Sequence, residues 1–152
     1  MSKQFPLQIL LDLAQEKRDE AASQLGVING HDRAMQERLR LLLQYRDEYS
    51  ARFTSDAQLG MDSAGWKNFR QFIDAIDAAI EQQRQLVADA RRKVLAGQTQ
   101  WQAQQRKLKS FDTLSQRHHA MEQTSEARME QKEQDDSVLK AYLSKNVIGN
   151  KR

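Results

Sequence analysis

Apolar residues recur at alternating steps of three and four along two long stretches of this chain. In the first, positions 11, 14, 18, 21, 25, 28, 32, 35, 39, 42, 46, 49 and 53 carry Leu, Ala, Arg, Ala, Leu, Ile, Asp, Met, Leu, Leu, Arg, Tyr and Phe, of which ten are apolar. In the second, positions 66, 69, 73, 76, 80, 83, 87, 90, 94, 97, 101, 104, 108 and 111 carry Trp, Phe, Ile, Ile, Ile, Gln, Val, Ala, Val, Gly, Trp, Gln, Leu and Phe, of which eleven are apolar. The step averages 3.5 residues, the repeat that keeps one narrow stripe of a helix turned toward a partner helix. Two long helices packed through a coiled-coil seam are therefore predicted.

The two stripes also predict their own pairing. Each seam position of the first stretch has a mate in the second whose number brings the total to 122, as Phe53 with Phe69, Leu42 with Ile80 and Leu11 with Phe111. An antiparallel hairpin follows, and side-chain sizes complement across it: Ala21 faces Trp101 and Leu25 faces Gly97. The midpoint falls at Met61, within a run of turn formers from Thr54 to Ser63. The expectation is one all-α hairpin over residues 1–152, with helix 1 at about 6–54, a turn at about 55–63, helix 2 at about 64–143 and a frayed end around Gly149. The paired part, about 43 residues, makes a rod of roughly 65 Å.

Helix 2 is expected to outrun its partner. Residues 112–140 contain neither Gly nor Pro and are rich in Glu, Gln, Arg and Met, so they favour helix beyond the reach of helix 1. Leu114, Met121 and Met129, then Val138, Leu139, Tyr142 and Leu143, have little to pack on. Such an overhang is either a partner-binding element or a frayed tail.

The seam's two flanks differ. One holds Tyr45, Phe72, Ala79 and Leu86; the other holds Ser50, Arg70, Asp77, Arg84 and Arg91, with Leu43 its main apolar exception. In the half of the hairpin nearest the turn, Tyr45 and Phe72 join Leu42, Tyr49 and Ile76 in a single apolar and aromatic patch. Either this is a protein-binding surface, or the seam is wide there and buries the rings.

Composition narrows the function classes. Charged residues are 30% and aromatics 7%, the profile of long exposed helices rather than of a compact core. The chain has no Cys, which excludes disulfides and thiolate chemistry and fits a reducing compartment. No apolar run approaches the ~20 residues that span a bilayer, and no secretory signal is visible, so a soluble cytoplasmic protein is expected. No phosphate-binding Gly-Lys loop occurs, and a rod without a pocket does not assemble a catalytic triad. His118 and Glu122 lie one turn apart, but two ligands do not close a metal site. No enzyme and no cofactor is expected. Residues 84–117 hold eight Lys or Arg against Asp89 and Asp112, whereas 118–136 hold six acids against Arg128 and Lys132. The basic band is a solvated face or a site for an acidic protein; nucleic acid is disfavoured because Trp101 and Phe111 are committed to the seam.

Five segments carry a family resemblance: Leu10-Leu-Asp-Leu-Ala14, Leu42-Leu-Gln-Tyr-Arg-Asp-Glu-Tyr49, Trp66-Lys-Asn-Phe-Arg-Gln-Phe-Ile-Asp-Ala-Ile76, Ala79-Ile-Glu-Gln82 and Arg128-Met-Glu-Gln-Lys132. In this order they resemble FliJ, the small coiled-coil component of the flagellar type III export apparatus. The resemblance implies a stalk similar to the gamma subunit of rotary ATPases. Such a stalk inserts in the hexameric flagellar export ATPase, promotes ring assembly, links the ring to the cytoplasmic domain of the export gate and escorts export chaperones. It implies a location at the cytoplasmic face of the inner membrane, reached only through the apparatus, and a role in motility and chemotaxis. It also implies a gate-binding face that maps here to Arg38, Leu42, Tyr45, Tyr49, Phe72, Ile76, Ala79 and Gln83. The chain departs from the family at Arg38, commonly Gln, and at Gln83, commonly His. The apolar six coincide with the flank patch read from spacing. The remaining readings are the equivalent stalk of a virulence injectisome and a generic coiled-coil tether.

Overall fold

The computed structural model describes residues 4–149 as two helices, α1 over Gln8–Gln58 and α2 over Ser63–Gly149, with no strand among the described residues. The helices pack against each other as an antiparallel hairpin in the predicted register. Phe53 stacks on Phe69 with ring centroids 3.5 Å apart. A Cβ built on Gly97 would lie 3.2 Å from Leu25 and 3.3 Å from Ile28; the missing side chain is what admits these two into the seam.

Two compact units divide the chain, one formed by Lys17–Gln105 and the other by the stretch up to Glu16 with that from Arg106 onward. In the first, every α1 seam position from Arg18 to Phe53 and every α2 position from Phe69 to Gln104 is buried or half-buried. Trp66, at 53% exposure, is the exception, although its ring still meets Phe53 edge-on at 4.7 Å. Apolar residues and polar groups share the core: Ala21, Met35, Ile80, Ala90 and Val94 are buried, and so are Asp32 and Gln83. Gln83 Nε2 donates to the Met35 carbonyl at 2.9 Å, and Gln36 Nε2 donates to Asp32 Oδ2 at 3.0 Å. These bonds offset part of the desolvation cost of polar groups in an otherwise apolar stripe.

The turn is shorter than its composition predicts. Thr54, Ser55 and Asp56 favour turns, yet α1 continues to Gln58, with Ala57 still half-buried and the Thr54 hydroxyl turned back onto the Ser50 carbonyl at 2.9 Å. Chain reversal waits for Gly60, whose φ of 98° is left-handed and sterically disfavoured for a side chain. Asp62 then caps α2, its Oδ1 accepting from the Gly65 amide at 2.8 Å.

In the second unit the unpartnered part of α2 begins later than residue 112. Ala14 is buried and Leu11, Leu108 and Phe111 are half-buried. Beyond them Phe5 and Ser115 are buried as well, and the Phe5 ring lies 5.5 Å from His118. The residues preceding α1, which turn through a Gln8 amide bond to the Phe5 carbonyl at 3.1 Å, thus extend the covered stretch of α2 by two turns. From Gln123 to Gly149 every residue is exposed. The helix does not stop near 143: with no Gly or Pro until Gly149, and with side-chain bonds such as Gln131 Nε2 to Asp135 Oδ1 at 3.1 Å, it holds through Gly149. The rest of the stretch expected to fray, residues 150–152, lies outside the described residues.

Candidate protein-binding face

Leu42, Tyr45 and Tyr49 come from successive turns of α1, and Phe72 and Ile76 from successive turns of α2. Together with Glu48 and Arg52 they line a groove of about 390 Å³ in the Lys17–Gln105 unit. Helical spacing explains the grouping, since positions three and four apart share a face. Tyr49 joins groove to core: its ring is 4.0 Å from Phe72 on one side and stacks on Phe69 at 5.6 Å on the other. Both flank residues keep a large exposed share, Tyr45 61% and Phe72 44%. The seam is therefore not wide enough to bury them, and the patch is a surface. Ala79 is half-buried beside it and does not line the groove.

The two remaining residues of the expected face behave differently. Arg38 is exposed and lies outside the groove lining. Gln83 is 7% exposed and spends its amide on Met35, so it locks the seam and offers no side chain to a partner. Glu48 and Arg52 were not identified from the apolar pattern because they are charged, although Arg52 lies one heptad after Tyr45 and so on the same flank. They give the apolar floor a polar rim, the usual make-up of a protein-binding patch. Glu48 Oε1 is held by Gln44 Nε2 at 2.9 Å.

Across the seam the opposite flank is ionic. Arg46 Nε donates to Asp77 Oδ1 at 2.5 Å, with Nη2 to Oδ2 at 3.4 Å. The Arg46 guanidinium, first by hydrogen bonding and then by its charge, holds the Asp77 carboxyl below the usual carboxylate value. A depressed folded-state pKa means that the pair's contribution is present above the ordinary carboxylate range and is lost as pH falls through the lowered value. Asp77→Asn should thus lower the thermal midpoint slightly at neutral pH, and the gap to the parent should close in strong acid. A gap that persists there would assign the loss to packing rather than to charge. The effect is small because both groups are solvent-accessible.

Among the described residues no group of three or more His, Cys, Asp or Glu stands close enough to hold a metal ion, and His118 and Glu122 form an i,i+4 pair at 3.5 Å. Two long helices packed through one seam, with an open aromatic groove and a charged rim on one flank, define as a class an all-α coiled-coil hairpin protein. The chain belongs to the flagellar FliJ protein family, whose sequence pattern it matches over residues 2–146. It is 32% identical over 145 residues to the flagellar FliJ protein of Salmonella typhi, covering 95% of this chain and 99% of that one. To the flagellar FliJ protein of Escherichia coli K12 it is 30% identical over 145 residues, with the same coverage of each chain.

Proposed function

We propose that this protein is a non-enzymatic stalk and adaptor of flagellar type III protein export. Family membership along nearly the whole chain carries the reading, and the aromatic groove supplies a surface suited to it. In this reading the groove around Tyr45 and Phe72 takes the cytoplasmic domain of the export gate. The part of the hairpin holding α2 beyond Arg106 enters the hexameric export ATPase, as in the gamma subunit of rotary ATPases, and promotes ring assembly. The protein also escorts export chaperones and is held by the apparatus at the cytoplasmic face of the inner membrane.

Hydrolysis by the cognate export ATPase, measured with and without this protein, tests the reading. A stalk that binds the closed ring in preference to free subunits shifts the equilibrium toward rings, so stimulation should be greatest at low ATPase concentration. The protein alone should hydrolyse no ATP. Absence of any stimulation, together with copurification of a cytoskeletal or vesicle protein in place of the ATPase and gate, would overturn the export reading in favour of a generic tether.

A further inference from the structure

Glycine occurs twice within α1, at Gly26 and Gly30, and nowhere else in that helix. Close packing does not require either, since a Cβ built on each meets nothing within 4 Å. Each costs the helix against alanine, and the residues between them, Val27, Ile28 and Asn29, are weak helix formers as well. The seam does little to offset this. Val27 is 73% exposed, and Leu25, Ile28 and Asp32 meet Gly97, Val94 and Ala90 in the observed register, so two of the three layers have a small residue on the α2 side. Asp32 is buried, yet no group of the protein hydrogen-bonds its Oδ1. A desolvated oxygen without a partner weakens the seam at that layer. On either side the seam is better made: Ala21 is buried opposite Trp101, and Met35 is buried with its carbonyl bonded by Gln83.

We infer that residues 26–32 of α1 form a hinge, which opens locally while the seam on both sides stays paired. Opening there lets the groove-bearing end of the Lys17–Gln105 unit bend against the rest of that unit. Local opening concentrates where backbone preference and apolar packing are both poor, and here the two deficits fall on the same stretch. A bend in a long helix needs a local cause, and glycine is among the known ones. The groove itself is spared, because Leu42, Tyr45 and Tyr49 lie at least two turns beyond Asp32 on a part of α1 without glycine. The inference stands on α1 and its seam and not on the export reading.

Hydrogen exchange of the full-length protein, read by mass spectrometry, tests it. Amides in peptides spanning 25–33 should exchange at least about tenfold faster than those spanning 36–46. Gly26→Ala with Gly30→Ala should slow the 25–33 segment about thirtyfold and leave 36–46 unchanged. Both positions have space for the added methyl, so helicity by circular dichroism should not fall. Asp32→Ala should also slow the segment, because it removes the unpartnered oxygen. Bending is read separately. The chain has no Cys, so spin labels on Lys17→Cys and Asp47→Cys, both exposed, report a single distance, about 45 Å along a straight helix. Its distribution should be broad in the otherwise unchanged protein and narrow once Gly26 and Gly30 are alanine. Uniform exchange along α1, exchange that the double alanine variant does not slow, or distance distributions equally narrow in both proteins would overturn the hinge. So would faster exchange in Asp32→Ala, which would make Asp32 a clamp on the seam.

Discussion

Phe72→Ala is expected to weaken capture of the export-gate cytoplasmic domain about thirtyfold, while the hairpin keeps its helicity and its stimulation of the ATPase. Aromatic anchors at the centre of an interface typically cost about 2 kcal/mol or more on truncation. Phe72 has the surroundings of such an anchor: it lines the groove, touches Tyr49 and leaves 44% of its surface in water. Because Phe72 stands on the flank and opens to solvent on one side, its removal leaves a gap that water can fill and costs the seam less than a buried position does. Titration of labelled gate domain against parent and variant reads the affinity, and circular dichroism reads the fold. An unchanged affinity would remove the groove from the gate reading, and loss of helicity would make Phe72 part of the core.

Ile80→Ala, only two turns along the same helix, is expected to do the reverse and strike the fold. Ile80 is 4% exposed and faces Leu42 in the observed register. Truncating a buried aliphatic side chain to alanine removes its transfer free energy and leaves a void, together about 2–4 kcal/mol. For a chain of this size that corresponds to a fall in thermal midpoint of roughly 5–15 °C. A two-helix seam has few neighbouring layers to collapse into the gap, which argues for a substantial loss. A thermal melt with a midpoint within a degree or two of the parent would mean that the seam near residue 80 is not the stabilising contact its burial indicates.

The difference between Phe72 on the flank and Ile80 in the seam follows from their places in the heptad. Alternation of three and four along Leu11 to Phe53 and Trp66 to Phe111 determined the helices, their antiparallel sense and their register, because a period near 3.5 leaves each helix one stripe to bury and two complementary stripes leave one way to align. The pairing of Leu25 with Gly97 was legible for the same reason. The groove was legible in outline: Tyr45 and Phe72 stand beside the stripe, and flank position follows from heptad arithmetic. Glu48 and Arg52 were not, since charged residues give no apolar signal and only the crossing of two helices shows which of them rim a groove.

Other features were decided by contacts between segments far apart in sequence. Gln83 occupies a polar seam position that spacing alone leaves ambiguous; the Met35 carbonyl within 2.9 Å makes it a core residue instead of a binding one. Thr54–Asp56 would turn by local preference but stay helical beside a half-buried Ala57. Phe5 lies outside the counted stripe, yet it is buried beside His118 and covers α2 where a bare overhang was expected. Local propensity and period act within a few turns, which is why the elements and their alignment could be read from residue order. Which polar groups are buried, where each helix ends and how much of α2 stays uncovered depend on what the partner segment places opposite, and those contacts exist once the two segments have packed.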